Sequence, residues 1–295
     1  MQQETSKPDP ARAVRPSDVV ATIAARAIVH RTPCGEGQMV WHQWGTGRPI
    51  VLFHGGHGSW THWLRNIEAL AAGYRVIAAD LPGLGDSATP PLPHTPDTLS
   101  DIVAAGLASL LGADERAHIV GFSFGGMIGG HVAVKLGARV RSLTLVGAGG
   151  MGLPLRQRPD MRGWRDIADP AEREAVHRHN LGVLMFSDRR KIDALAVHLQ
   201  TTNTVRGRMN SRRLSGMGTL PGVLPRLRAP LRGIWGEHDF SARGRLDLYA
   251  ERLREMQEGA TLTVIPGAGH WVQFEAAEKF NAALIKLLAA TTGEV

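Results

Sequence analysis

Ser123 stands in the pentapeptide GFSFG, with Gly121 and Gly125 two positions away on either side. An apolar run predicts a buried strand over 117–123, and the residues that follow predict a helix over 124–136. Where a strand turns this sharply into a helix, the serine takes a strained backbone conformation, and side chains two positions before and after it would collide. The pattern predicts a nucleophilic serine at the carboxyl edge of a sheet. The alternative is a glycine-rich turn with an incidental serine.

A serine hydroxyl becomes a good nucleophile only when a base takes its proton. His270, in GAGHW, directly follows a strand predicted over 260–266. The base in turn needs a carboxylate, which sets its tautomer and stabilises its charged form. Asp239, in WGEHDF, follows the preceding strand, and Glu237 is the alternative acid. We therefore predict a catalytic triad of Ser123, His270 and Asp239, with the three residues in the chain order serine, acid, histidine.

An attack on a carbonyl carbon also needs N–H donors for the oxyanion that develops. We predict that the backbone N–H groups of Phe124, directly after the serine, and Gly56, in the sequence HGG, provide them. His54 and Asp80 lie near these residues in the sequence, and we expect both to hold loops in place. No metal and no cofactor are expected, because no cluster of histidine, cysteine and carboxylate residues has the spacing of metal ligands.

Strands and helices alternate along most of the chain, which predicts a mostly parallel sheet with helices on both faces. The further strands are predicted over 24–30, 38–44, 49–55, 74–80, 140–148 and 229–236, and the further helices over 59–71, 97–111, 243–257 and 271–290. Residues 150–228 are mostly helical in pattern, rich in arginine and without a convincing strand. We predict a flexible arm over 1–20, a core over 21–149 and 229–295, and a helical lid inserted over 150–228.

The charge of the chain is concentrated in this segment. The whole chain has 34 Lys and Arg against 27 Asp and Glu, and residues 150–230 alone hold 14 Arg and one Lys against seven acidic residues. An excess confined to one internal segment argues against nucleic-acid binding and favours attraction of an anionic small-molecule substrate. The alternative is an ordinary solvated helical surface.

The composition also bears on where the protein acts. Cys34 is the only cysteine, so no internal disulfide is possible, which fits a reducing compartment. No run of 18 apolar residues and no signal peptide is visible. We expect a cytoplasmic protein that does not bind a membrane.

Several motifs resemble those of the α/β-hydrolase family, in the family's order. They are LFHGG (52–56), DLPGLGDS (80–87), VGFSFGG (120–126), WGEHD (235–239) and GAGHW (267–271). The resemblance implies an α/β class fold, the α/β-hydrolase fold, with an eight-stranded, mostly parallel sheet and a serine triad.

Three further stretches resemble the meta-cleavage-product hydrolases, which cut a carbon–carbon bond in vinylogous diketo acids. They are WTHWLRN (60–66), VGAGGMG (146–152) and GHWVQFEAAEKFN (269–281). The resemblance implies substrate contacts for Asn66 and Trp271, a carboxylate contact for Arg206 or Arg208, and a homodimer. A carboxylesterase or lactonase with the same triad is the alternative. A non-catalytic binding protein of this fold is disfavoured, because all three triad residues are present.

Overall fold

The computed structural model describes residues 14–154 and 159–291. Most of the flexible arm predicted over 1–20 therefore lies outside the described residues. Its last part is not an arm, because Pro16–Ala24 forms a helix, α1. Proline at the first helical position already has the backbone φ that a helix needs. The helix is held to the core where Ile23 is buried.

Eight strands in the described residues form one sheet. They are β1 Ile28–Cys34, β2 Gly37–Trp44, β3 Pro49–Phe53, β4 Arg75–Ala79, β5 Ala117–Phe122, β6 Val140–Val146, β7 Leu231–Gly236 and β8 Thr261–Ile265. Their order across the sheet is β1-β2-β4-β3-β5-β6-β7-β8. The pairs β1–β2 and β2–β4 are antiparallel and the other five are parallel. The predicted eight-stranded, mostly parallel sheet is thus confirmed.

Helices cover both faces of this sheet. Beyond α1 they are α2 Ile67–Ala71, α3 Pro96–Leu110, α4 Phe124–Leu136, α5 Pro170–Leu184, α6 Ala194–Val205, α7 Ser211–Ser215, α8 Leu220–Val223, α9 Leu246–Met256, α10 Val272–Glu275 and α11 Ala277–Ala289. Every residue of β3 and of β5 is buried, as expected for central strands covered on both faces. Side chains alternate along β5, so Ile119 belongs to the apolar core on one face and Val120 to the core on the other.

Three predicted elements differ from those observed. The first strand begins at Ile28 rather than at 24, because α1 and a turn occupy the residues before it. The helix predicted over 59–71 is a 3-10 turn at Trp60–Trp63 followed by the short α2. The backbone of Trp60 is tied to the loop after β4, since its N–H donates to Asp80 Oδ1 at 2.8 Å. The C-terminal helix is divided into α10 and α11 at Ala276, whose φ of −130° is not helical.

The segment between β6 and β7 contains α5 to α8, and its described residues include no strand. We call residues 150–228 the insertion. Helices α5 and α6 contact each other, while α7 and α8 pack against α4 of the core. The insertion therefore rests on the helix that directly follows Ser123. Within 14–154 and 159–291, no helix has the length and apolar character needed to cross a membrane.

Candidate active site

Ser123, His270 and Asp239 meet at the carboxyl edge of the sheet. Ser123 directly follows β5, Asp239 lies in the loop after β7, and His270 lies in the loop after β8. His270 Nε2 is 3.0 Å from Ser123 Oγ, and His270 Nδ1 is 2.8 Å from Asp239 Oδ2. A carboxylate only accepts hydrogen bonds, so Nδ1 carries the hydrogen and Nε2 is left to accept from the serine. This is the geometry in which a histidine can deprotonate a serine.

The turn at Ser123 is strained in the way its sequence predicts. Ser123 has a φ of 51°, in the left-handed region that L side chains rarely adopt. Gly121 and Gly125 are each required by a different close contact. A Cβ at Gly121 would lie 2.3 Å from the carbonyl oxygen of Gly125, whereas a Cβ at Gly125 would lie 2.4 Å from the carbonyl oxygens of Phe53 and His54. The turn is therefore closed against itself and against the end of β3.

Asp239 is fully buried and has a complete set of partners. Its Oδ1 accepts from the Ser241 N–H at 2.9 Å and the Ser241 hydroxyl at 2.8 Å, while Oδ2 faces His270. Burial by itself would raise the pKa of Asp239, but the neighbouring His270 and the hydrogen bonds from Ser241 hold the pKa below its ordinary value. The alternative acid Glu237 is exposed and accepts from the Gly267 N–H at 2.8 Å. Of the two acids, the structure pairs Asp239 with the histidine.

Gly56 and Phe124 lie side by side next to Ser123. A Cβ at Gly56 would be 3.9 Å from Phe124 Cβ, and a Cβ at Gly55 would be 3.4 Å from Ser123 Cβ. Phe124 is the first residue of α4, so its N–H has no acceptor within the helix. Among the described residues, neither the Gly56 N–H nor the Phe124 N–H donates to another protein group. Both donors are available to an atom bound beside the serine.

His54 and Asp80 hold the loops that follow β3 and β4. His54 Nδ1 donates to the carbonyl of the next residue at 2.7 Å, and Nε2 accepts from the Leu81 N–H at 2.9 Å. Burial lowers the pKa of His54 to about 4, which keeps the ring neutral. Asp80 accepts from the N–H groups of Trp60 and Asp86, and burial raises its pKa to about 7. Neither side chain lines the cavity that contains Ser123.

That cavity has a volume of about 1380 Å³ and lies between the core and the insertion. The core supplies Ser123, His270 and Gly56 to its wall. The insertion supplies apolar side chains that include Met161, Trp164, Met185, Met209 and Met217. The cavity can hold a substrate with a sizeable apolar part.

Two residues expected to contact substrate lie outside this cavity. Asn66 is fully buried, and its Nδ2 donates to the Gln273 carbonyl at 2.9 Å and to Asn281 Oδ1 at 2.7 Å. Trp271 is also fully buried, and its Nε1 donates to the His62 carbonyl at 3.0 Å. The structure places both side chains in the packing of the C-terminal helices against the core rather than in the cavity wall.

The arginines chosen from the sequence are also engaged elsewhere. Arg206 lies outside the cavity and pairs with Asp86, with Nη1 3.1 Å from Oδ1. Arg208 does line the cavity, but its guanidinium donates to the backbone carbonyls of Gly85, Ser87 and Arg206. Arg206 is therefore placed away from the cavity, and Arg208 mainly joins the insertion to the loop after β4.

Three other arginines of the insertion line the cavity, namely Arg162, Arg165 and Arg212. Within the described residues, none of the three is in an ion pair with an acidic side chain. Burial, followed by the charges of Arg212 and Arg165, lowers the pKa of His57, the residue after Gly56. These two guanidiniums therefore act electrostatically close to the predicted oxyanion donors. The arginine excess of the segment signalled such a cluster, but it could not identify its members.

Sequence reasoning also missed Glu275. Its carboxylate is largely buried and accepts from the Ser187 and Asp188 N–H groups, from the Ser187 hydroxyl and, at 2.6 Å, from the Gly269 N–H. Gly269 immediately precedes His270, and Ser187 belongs to the insertion. Glu275 therefore ties the loop that carries the histidine to the insertion. In the described part of the chain, no group of three or more histidine, cysteine or acidic residues could hold a metal ion.

Comparison with known proteins agrees with this architecture. A family model described as the alpha/beta hydrolase family matches residues 50–283. A 2-hydroxy-6-oxononadienedioate/2-hydroxy-6-oxononatrienedioate hydrolase of Comamonas testosteroni is 31% identical over 261 residues, which cover 83% of this chain and 89% of that protein. The dihydrolipoyllysine-residue acetyltransferase component of the acetoin cleaving system of Pseudomonas putida is 34% identical over 252 residues, and the matched part spans 82% of this chain but only 64% of that protein.

Among solved structures, a 2-hydroxy-6-oxo-6-phenylhexa-2,4-dienoate hydrolase from Rhodococcus sp. strain RHA1 has a TM-score of 0.69 at 24% identity. The superposition covers 88% of this chain and 98% of that one. At this level of identity the likeness shows a shared fold. The match of the family model over 50–283 shows that the chain belongs to the alpha/beta hydrolase family.

Proposed function

We propose that this protein is a serine hydrolase in which Ser123 is the nucleophile, His270 the base and Asp239 the acid behind it. The observation that carries the proposal is the chain of contacts between them, 3.0 Å from Ser123 Oγ to His270 Nε2 and 2.8 Å from His270 Nδ1 to Asp239 Oδ2. The substrate we propose is partly apolar and carries a carboxylate.

The residues support an acyl-transfer mechanism. His270 takes the Ser123 proton while Oγ attacks the substrate carbonyl carbon, and the carbonyl electron pair moves onto oxygen. The N–H groups of Gly56 and Phe124 stabilise that oxyanion. As it collapses, the bond to the leaving group breaks and His270 returns the proton to the leaving atom. Water, deprotonated by His270, then attacks the acyl-enzyme and regenerates Ser123.

Hydrolysis of a carbon–carbon bond uses the same steps with carbon as the leaving atom. The electron pair of that bond then needs a ketone to receive it that is conjugated with the leaving carbon through a carbon–carbon double bond. A 2-hydroxy-6-oxo-dienoate provides one after its dienol has been converted to the keto form, and we propose that His270 assists that proton transfer. Two relatives at about 30% identity are named as hydrolases of such dienoates or dienedioates.

The unpaired arginines of the cavity support a carboxylate-bearing substrate. Arg162, Arg165 and Arg212 project from the insertion around the same cavity as Ser123. Guanidinium groups bind carboxylates through charge-assisted and often bidentate hydrogen bonds. An anion held there would also offset the repulsion among the three cations.

A carboxylesterase or lactonase is the second candidate, and a specific observation favours it. Asn66 and Trp271, the contacts implied by resemblance to the carbon–carbon hydrolases, lie outside the cavity, and the Arg208 guanidinium is bound by backbone carbonyls. The triad and the oxyanion donors serve an ester equally well.

Steady-state turnover of two substrates tests these proposals. The substrates are a 2-hydroxy-6-oxo-dienoate and a neutral short-chain nitrophenyl ester, each with wild type and Ser123→Ala. Carbon–carbon hydrolysis is supported if the dienoate has the higher kcat/KM and if Ser123→Ala abolishes its turnover. Turnover of the ester alone would replace that proposal with an esterase. Turnover that persists in Ser123→Ala would contradict the triad, and labelling of Ser123 by a fluorophosphonate checks it independently.

Arginine variants test the carboxylate contact. We expect Arg165→Gln and Arg212→Gln each to lower kcat/KM for the dienoate by about tenfold or more, since a hydrogen bond to a charged group contributes about 1.5–3 kcal/mol. The neutral ester should be affected much less. Arg206→Gln is the matched control, because this arginine pairs with Asp86 outside the cavity. Equal effects on both substrates would contradict a carboxylate contact.

Two further expectations are part of the proposal. A cytoplasmic location is supported by Cys34, the only cysteine, which is buried and free. Fractionation of cells should place the protein with cytoplasmic markers. The homodimer rests on resemblance alone, and light scattering should give twice the chain mass of 31.8 kDa.

A further inference from the structure

Ser211 has an unused hydroxyl in the wall of the cavity. It is the first residue of α7 in the insertion, it is fully buried, and it lines the same cavity as Ser123. Among the described residues, its Oγ has no hydrogen-bond partner. Buried hydroxyl groups are normally paired, so a hydroxyl left without a protein partner beside a cavity indicates a partner that binds there.

The position of this hydroxyl specifies which part of a substrate it would meet. A Cβ at Gly56 would lie 2.6 Å from Ser211 Oγ and 3.9 Å from Phe124 Cβ. Ser211 Oγ is therefore adjacent to Gly56, which neighbours Phe124 and whose N–H is free beside Ser123. A hydroxyl can rotate its hydrogen toward an acceptor, which the two fixed backbone N–H groups cannot do.

We propose that the Ser211 hydroxyl is a third donor to the carbonyl oxygen under attack and to the oxyanion that forms from it. This inference rests on the proposed function, because it requires an acyl group on Ser123. Gly56 and Phe124 belong to the core, whereas Ser211 belongs to the insertion. The oxyanion site is thus shared between the two parts of the fold, and the insertion contributes to the reaction itself as well as to substrate binding.

The test compares Ser211→Ala and Ser211→Cys with wild type on whichever substrate is turned over. We expect Ser211→Ala to lower kcat by about 10- to 100-fold with little change in KM, because removal of one oxyanion donor lowers kcat by about 100- to 1000-fold where it has been measured and two donors remain here. The kcat of Ser211→Cys, which keeps a weak donor, should lie between those of wild type and Ser211→Ala. Affinity for a trifluoromethyl ketone, whose adduct with Ser123 carries an oxyanion, should fall in parallel with kcat/KM.

Ser100→Ala is the matched control. Ser100 is equally buried, but it lies on α3 away from the cavity and its hydroxyl already donates to the Asp97 carbonyl at 2.9 Å. Wild-type kcat and inhibitor affinity in Ser211→Ala would overturn the inference, as would an equal loss in Ser100→Ala. If Ser211→Ala lowers the melting temperature, the kcat values of Ser211→Ala and Ser211→Cys are compared with each other at a temperature where both variants are folded.

Failure of this inference can be distinguished from failure of the proposed function. If Ser123→Ala abolishes turnover while Ser211→Ala does not change it, only the third donor is wrong. If Ser123 is not labelled by a fluorophosphonate and Ser123→Ala retains activity, the proposed function is wrong, and the inference about Ser211 falls with it.

Discussion

Glu275 offers a sharp test of how the histidine is positioned, and we predict that Glu275→Gln impairs both folding and turnover. The carboxylate has two oxygens with different partners. Oε2 accepts from the Gly269 N–H at 2.6 Å, and Oε1 accepts from the Asp188 N–H and the Ser187 hydroxyl, both at 2.9 Å. The substitution keeps the shape of the side chain and turns one oxygen into an NH₂ group.

Each orientation of that amide leaves a buried donor without an acceptor. If NH₂ replaces Oε2, the Gly269 N–H loses its partner, and if it replaces Oε1, the Asp188 N–H loses its partner, whereas the Ser187 hydroxyl can still donate to the Gly267 carbonyl at 2.6 Å. An unpaired buried donor costs about 1–3 kcal/mol, and the bonds that remain are weakened because they are no longer charge-assisted. We expect the free energy of unfolding to fall by about 2–4 kcal/mol.

The effect on turnover follows from the neighbour of Gly269. This residue immediately precedes His270, so a shift of its N–H moves the base relative to Ser123. A displacement of about 1 Å in a catalytic group can lower the rate by about 100-fold. We expect kcat to fall by about 10- to 100-fold in Glu275→Gln, with a smaller change in KM.

Urea unfolding measures the change in the free energy of unfolding, and steady-state turnover well below the melting temperature measures the change in kcat and KM. Glu278→Gln is the control, since it makes the same chemical change at an exposed glutamate three residues further along. If Glu275→Gln retained wild-type kcat while losing stability, Glu275 would be a fold contact without a role in positioning His270. An equal loss in Glu278→Gln would refute the reasoning altogether.

Three other outcomes are expected. In steady-state assays, Asp239→Asn should lower kcat by about 1000- to 10,000-fold at nearly constant KM, because an amide does not hold His270 in the right tautomer. A loss below tenfold would show that another group sets the tautomer of His270. Gly125→Ala should lower the free energy of unfolding by at least about 2 kcal/mol, because the new Cβ would lie 2.4 Å from carbonyl oxygens at the end of β3. Gly222→Ala is the control, because a Cβ there would have nothing within 4 Å. Equal urea midpoints for the two variants would contradict this packing argument. Burial raises the pKa of Asp80 to about 7, so the folded state binds this proton more tightly than the unfolded state does. When the pH falls from 7 to 5, the free energy of unfolding of wild type should therefore rise by about 2 kcal/mol relative to that of Asp80→Asn, as measured by urea unfolding. Parallel pH dependences of the two proteins would contradict that pKa.

The sequence by itself determined the sheet and the three residues that meet at its edge. Buried strands that end in glycine or polar residues are local patterns, and the carboxyl ends of parallel strands must lie at one edge. Ser123, Asp239 and His270 each follow such a strand, so their proximity could be predicted without coordinates. The glycines beside Ser123 were equally legible, because the turn they permit is a local property of the backbone.

Only the tertiary structure decided what surrounds these residues. Asn66 and Trp271 are close in sequence to motifs of the site, yet their side chains point into the contact between the C-terminal helices and the core. The direction of a side chain depends on which face of a short helix or turn is buried, and that is set by residues far away in the chain. No local pattern indicates it.

The insertion shows the same limit most clearly. Its arginine excess was visible in the composition, but whether a guanidinium meets an aspartate, a backbone carbonyl or an open cavity depends on how the short helices α5 to α8 lie over the sheet. Arg206 and Arg165 are alike in sequence terms, and only one of them lines the cavity. The unused hydroxyl of Ser211 had no sequence signal at all, because a missing hydrogen-bond partner is a property of the folded chain.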